Sequence, residues 1–279
     1  MRIIKPYKLL LFLLLVSGLG ACSTGFHLAN RFVVSETDIH VLVLPPTQLI
    51  KTFLPVHPDS ITDGNIPEYD ESDIRFINRT NDSLYIREFL KGLEQRLDLL
   101  HINTYGVEEM DEFLKNEQSA YIFGIAQMEL LEYLHTETYY AWDGRFNYVH
   151  RELIRVLENN AWFEFMKLDD ANFEMEVLFA VQATSDHVEG RFIRRASKEV
   201  VFDADRYSLT DADVKELAFF AGQQNGQHIF DYLMNLYVRE GLSRDPGRYY
   251  QYDMELHIIR ETDTPGFIRI EQEPVDVDY

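Results

Sequence analysis

The chain has 279 residues, 47 of them acidic and 26 basic, for a formal net charge of −21. That carboxylate excess repels phosphates and excludes nucleic acid and bare anionic lipid as partners. Hydrophobic residues at 46% and aromatics at 13% exclude a disordered acidic tail, and this length of chain can bury one sizeable core.

Residues 1–21 read as a leader. Arg2, Lys5 and Lys8 precede an apolar run from Leu9 to Val16, and Gly18, Gly20 and Ala21 follow it. The run is shorter than the roughly 20 apolar residues a spanning helix needs, as expected of a signal peptide. It leads to Cys22, the single cysteine of the sequence, and an odd cysteine in an exported protein calls for a chemical use. Leu19-Gly20-Ala21-Cys22 resembles the lipobox of bacterial lipoproteins. The resemblance implies cleavage before Cys22, lipid on its sulfur and attachment to the membrane through that lipid. Because Ser23 follows Cys22, without an aspartate, the resemblance further implies the outer membrane. No acidic run follows the cysteine, which favours a periplasm-facing domain over a surface-exposed one.

Residues 22–37 then read as a lipidated tether, 38–245 as one α+β domain, and 246–279 as a C-terminal hairpin with an acidic tail. Ile39–Pro46, "IHVLVLPP", is an apolar strand stopped by prolines. Residues 55–82 are rich in Pro, Asp, Asn and Ser and predict a long loop. A helix over about 82–100, capped by Asn81 or Asp82, carries Ile86, Phe89, Leu90, Leu93, Leu97 and Leu100 at three-and-four spacing. "HINTY" predicts a short strand, and Val107–Asn116 a second, shorter helix. Ala120–Glu137 begins apolar on both faces, as a central strand does, with Gly124 read as the site of a close approach.

Residues 149–160 fit either a helix or a strand, and "AWFEFMKL" after them fits a strand. Asn172–Thr184 and Glu189–Asp205 predict an antiparallel meander turning at Ser185-Asp186-His187. The longest helix, about 211–240, opens at Thr210. Its inward stripe is Val214, Leu217, Ala218, Ala221, His228, Tyr232, Leu233 and Leu236, with Gly222 and Gly226 permitting close packing. A hairpin with alternating Tyr250, Tyr252, Met254, Leu256 and Ile258, turning at Asp263–Gly266, closes the chain. The expected whole is an α+β fold, a mostly antiparallel sheet packed by two main helices.

No G-x-S-x-G, H-E-x-x-H or phosphate-cradling glycine loop occurs, and no catalytic residue, cofactor or metal site is predicted. Asp203, Asp205, Asp211 and Asp213 are oxygen-rich, but Tyr207 and Ser208 break the EF-hand pattern. The binding clue is "ETYYAWDGRFNYVH", which gathers Tyr139, Tyr140, Trp142, Phe146 and Tyr148 around Asp143-Gly144; "RDPGRYYQYD" is a second, weaker aromatic cluster. Exposed loop aromatics anchor protein partners or stack on sugar rings. The chain is similar to uncharacterised Gram-negative envelope lipoproteins with "WFEF" (Trp162–Phe165) and "VEGRF" (Val188–Phe192) segments. The order of elements also resembles the auxiliary lipoproteins of envelope lipid-transport and surface-assembly systems. Those resemblances imply a non-enzymatic accessory or scaffold subunit with a protein partner in the envelope. A glycan-binding lipoprotein using residues 139–148 is the alternative, and a hydrolase built on Glu129 and Glu132 a third.

Overall fold

The computed structural model of the chain describes residues 24–35, 38–61, 68–116, 119–168, 175–244 and 247–271. The leader, Cys22 and the acidic tail beyond residue 271 lie outside the described residues. The fold is α+β, with its longer helices on one face of a mixed, largely antiparallel sheet.

The tether expected over 22–37 contains a helix instead, α1 (24–34). Its Ala29 and Phe32 are buried, and Phe32 packs its ring 5.4 Å from Phe230 and 5.7 Å from Tyr237. Leu28, Ala29, Phe32 and Val33 form one stripe, too short to hold a helix in water and sufficient once it docks.

Strands β1 (His40–Leu44) and β2 (Leu49–Leu54) lie end to end along one edge of β4 (Ala120–Trp142), both parallel to it. Pro45 and Pro46 interrupt them because proline has no N–H for the ladder. At the same level β4 shifts register against β5 (Asn147–Lys167) between Ile125 and Gln127, a bulge that absorbs the break. Outside β1 lies β3 (Asn103–Tyr105); outside β5 lies β6 (Glu176–Ser185). The ambiguous residues 149–160 are therefore strand, buried from Val156 to Leu157 and held by β4 on one side. The second helix shrinks to a 3-10 turn at Val107–Glu109 and one α-turn, α3 (Met110–Phe113), with Phe113 closing a small cluster on Leu42 and Ala120.

Two main helices, α2 (Asp82–Leu99) and α4 (Asp211–Gly241), cover one face of the sheet. Asn81 caps α2 through Oδ1, which accepts from the Leu84 N–H at 2.9 Å; Thr210 and Asp213 form a capping box on α4. The two helices touch backbone to backbone. A Cβ on Gly222 would sit 1.9 Å from the Phe89 carbonyl oxygen, and one on Gly92 2.1 Å from that of Phe219. Gly124 is different: a Cβ there meets nothing nearer than Glu164 at 3.9 Å, so the close approach expected at this glycine is absent.

The meander ends at β6. Strands β7 (His187–Arg194) and β8 (Val200–Tyr207) pair only with each other, as a separate hairpin. Asp186 explains the departure. Its N–H donates to the Arg155 carbonyl at 2.8 Å, while its carboxylate accepts from the N–H groups of Arg155 (3.1 Å) and Leu209 (2.9 Å). The side chain thus occupies the place of the next ladder bond and releases the chain.

The C-terminal hairpin is present, but its turn comes earlier than expected. β9 (Tyr249–Asp253) and β10 (Ile258–Thr262) are joined through Met254–His257, with Asp253 Oδ1 accepting from the Leu256 N–H at 3.0 Å. The residues after Pro265-Gly266 leave the hairpin, bury Phe267, and add β11 (Ile268–Ile270) to β6.

Strand β9 is held by a ladder of side chains on α4, one per turn. Gln227 Nε2 donates to the Tyr252 carbonyl (2.9 Å), Asp231 Oδ1 accepts from the Tyr252 N–H (2.9 Å), and Asn235 exchanges two bonds with Tyr250 (2.7 and 2.9 Å). Burial pushes the Asp231 carboxyl up to about 7, while burial pulls the His228 imidazole down to about 4. The two act in opposite directions on stability. A raised carboxyl binds its proton more tightly in the folded state, so its contribution falls as pH rises from about 4 to about 7. A depressed imidazole contributes stability that rises from about pH 4 to about 6.5, so in the native protein the two largely cancel. Asp231→Asn keeps the Oδ1 acceptor and removes one side of that balance. We expect unfolding free energies of this variant, from urea denaturation, to climb between pH 4.5 and 7 and to exceed the wild type at pH 8 by about 3–4 kcal/mol, with little difference at pH 4.5.

Candidate functional site

Beyond Tyr133, β4 and β5 continue past the helices as a two-stranded arm that turns at Asp143–Phe146. Alternation along each strand sends successive side chains to opposite faces, so the five aromatics divide. Tyr139 and Tyr148 face the β7–β8 hairpin: Tyr139 packs on Phe202 at 4.8 Å, Tyr148 on Phe192 at 5.9 Å, and His150 stacks on Phe202 at 4.4 Å. The Tyr139 hydroxyl donates to Glu137 Oε2 at 2.6 Å, and desolvation together with that carboxylate pushes the phenol up to about 12. These two residues are structural glue.

Tyr140, Trp142 and Phe146 are the ones left open, exposed by 74%, 62% and 61%. Tyr140 and Trp142 share the outer face with Val149 and Leu153, each more than half exposed, and Phe146 sits at the tip. The tip is braced. Asp143 Oδ1 accepts from the N–H groups of Arg145 (3.0 Å) and Phe146 (2.9 Å), and Oδ2 takes the Tyr148 hydroxyl (2.7 Å) and Arg194 (2.9 Å). The Tyr148 bond, then the two backbone bonds, hold the Asp143 carboxyl below its usual range. Strand parity puts Arg151 on the outer face, while Glu137 and Glu152 point to the hairpin side, so this face carries cationic and apolar groups in a strongly acidic protein.

The Glu129–Glu132 pair is not a cleft. Three positions apart on a strand, the two carboxylates point to opposite faces. Glu129 takes the Thr52 hydroxyl at 2.5 Å and the Asn160 amide at 3.3 Å on the open face. Glu132 is buried on the helix face, accepting from the N–H groups of Arg75 (2.8 Å), Phe76 (2.9 Å) and Ile77 (3.0 Å) and pairing with Arg155. It pins the loop before α2. Among the described residues no three His, Cys, Asp or Glu side chains gather as a metal site, and Asp213 is spent on Thr210. No helix among them is long and apolar enough to cross a membrane.

One concavity escaped the sequence reading. A cavity of about 390 Å³ lies between α4, β6, β11 and the β9–β10 hairpin. Leu178, Tyr232, Tyr249, Pro265 and Phe267 form its walls, and Arg239, Arg248 and Arg269 stand around it with the carboxylates Glu176 and Asp263. Arg248 pairs with Glu261, and Arg269 with Glu176 at 3.4 Å. The Tyr232 hydroxyl donates to Glu176 Oε2 at 2.6 Å. Burial raises both Tyr232 and Tyr249 well above the ordinary phenol range, so both stay protonated. The Tyr249 hydroxyl is buried and has no partner among the described residues. The adjacent Asn235 amide offers it no donor, since Nδ2 is committed to the carbonyls of Asp231 (2.6 Å) and Tyr250 (2.7 Å). A buried hydroxyl without a partner costs about 1–3 kcal/mol. Only "RDPGRYYQYD", which holds Tyr249, gave a local hint of the cavity; its other lining residues are scattered along the chain.

No protein-family model matches the chain, and no curated protein matches it. The reading of both sites therefore rests on their geometry.

Proposed function

We propose that the chain is a non-enzymatic, lipid-anchored accessory or scaffold subunit of an outer-membrane or periplasmic assembly, and that it docks a protein partner through the tip of the β4–β5 arm. The anchor is the lipid that the lipobox implies on Cys22. The observation that carries the docking role is the joint exposure of Tyr140, Trp142 and Phe146 on a braced, projecting hairpin. Rigid aromatics bury large areas at little entropic cost, and interface hot spots are enriched in Tyr, Trp and Arg. Arg145 at the turn and Arg151 on the outer face favour a partner whose contact surface is acidic around an apolar centre.

A photo-crosslinking residue placed at position 142 in native membranes should give one discrete adduct, and the same residue at Phe220, exposed on α4 away from the arm, should not. Tyr140→Ala should weaken that adduct about tenfold, the loss of one aromatic anchor. Equal labelling from both positions, or adducts unaffected by Tyr140→Ala, would sink the docking role. Glycan binding that depends on Trp142 would replace the protein partner with a sugar.

A further inference from the structure

We infer that the cavity between α4, β6, β11 and the β9–β10 hairpin binds a compact amphiphilic anion, with an acidic head at Arg239 and Tyr249 and an apolar body against Leu178 and Phe267. The proposal is independent of the docking role. From Phe163, the β5 partner of Leu178, to Asn147 at the arm is about 50 Å at the rise of a strand.

Most polar groups of the cavity are already paired, and the exceptions are the Asp263 carboxylate, the Tyr249 hydroxyl and Arg239. Arg248 has Glu261, Arg269 has Glu176, and Tyr232 also has Glu176. Free to meet a ligand are the Tyr249 hydroxyl, a protonated donor, and Arg239, whose guanidinium lies 6.0 Å from the Tyr232 ring centroid, touches the Tyr232 side chain and has no carboxylate partner among the described residues. A spare O–H donor and a spare guanidinium call for an acceptor that is also negatively charged. The remaining walls cannot satisfy a bare ion, because Leu178, Pro265 and Phe267 offer only carbon. An apolar body fills them and gains from leaving water, as in most small-molecule sites, and about 390 Å³ is within the usual range. Carboxylate and phosphate heads share this chemistry.

The test is calorimetric titration of the full-length protein, in non-ionic detergent, with 4-phenylbutyrate, phenyl phosphate, the neutral 4-phenylbutanol and inorganic phosphate. One or both aromatic anions should bind saturably at a single site, and the tighter one assigns the head. The alcohol should bind at least about tenfold more weakly, and inorganic phosphate should not compete. Arg239→Ala should weaken the anion about tenfold and Tyr249→Phe about fivefold, neither with a lowered melting temperature and Tyr249→Phe with a raised one, while Arg239→Lys should recover part of the loss. Trp142→Ala should bind as wild type does. Equal binding of alcohol and acid, full competition by inorganic phosphate, wild-type affinity in both cavity variants, or no saturable heat up to about 10 mM would each overturn the assignment.

Discussion

Gly222→Ala should cost about 4 kcal/mol or more and leave little folded protein at ambient temperature. The added Cβ would stand 1.9 Å from the Phe89 carbonyl oxygen and 2.8 Å from the Leu93 nitrogen, and both are backbone atoms of α2. A flexible side chain could swing aside, but a helix backbone moves only as a unit. Relief then requires α2 and α4 to separate along their contact, opening a gap beneath Leu93, Ala218 and Ala221. Gly92→Ala, meeting the Phe219 carbonyl at 2.1 Å, should be comparably severe. Gly226→Ala should be milder, since its nearest neighbours are the Arg96 Cβ at 2.8 Å and the Leu93 oxygen at 2.9 Å. Gly124→Ala supplies the control: with 3.9 Å of clearance it should be within about 1 kcal/mol of wild type. Urea denaturation of the four variants checks the ranking. A near-neutral Gly222→Ala would mean that the helices do not touch.

Glu132→Gln should cost about 3–5 kcal/mol, because it leaves the Arg155 guanidinium largely buried without its counter-charge. The carboxylate has a second task, accepting three main-chain N–H groups from Arg75 to Ile77. The double variant Glu132→Leu with Arg155→Met separates the two. If the ion pair were all that mattered, an apolar replacement of both partners would be near neutral. Because the three N–H groups would lose their acceptor, the double variant should stay destabilised and should open the loop before α2 to proteolysis. Wild-type protease resistance in the double variant would remove the loop-pinning role.

The sheet-and-helix plan was legible because it is written in local pattern. The stripe Phe89–Leu93–Leu97 is buried as its spacing predicts, and Asn81 caps α2 from the position the sequence marks. The glycine pair on α4 was legible as a packing device, although not which backbone it meets. The misses were of another kind. Asp186 takes the place of a ladder bond, which sends β7 out of the sheet. Asp253 starts the last hairpin's turn before Asp263–Gly266 can. The Asp186 bonds reach main chain that only the folded neighbourhood brings near, whereas the Asp253 bond is local to its turn and open to a sequence reading. The aromatic cluster shows both sides. Its position was plain, but its division into packed Tyr139 and Tyr148 and exposed Tyr140, Trp142 and Phe146 required knowing what lies beneath the arm.

By itself, the sequence determined the α+β class, the two principal helices and the strongly acidic net charge, since charge and apolar spacing act over a few residues or over the whole chain at once. Tertiary structure alone decided which aromatics are open, and that Tyr249, Arg239 and Leu178 share one cavity. Those three come from a strand of the last hairpin, the longest helix and the sheet, and only packing sets distances between residues that the chain does not.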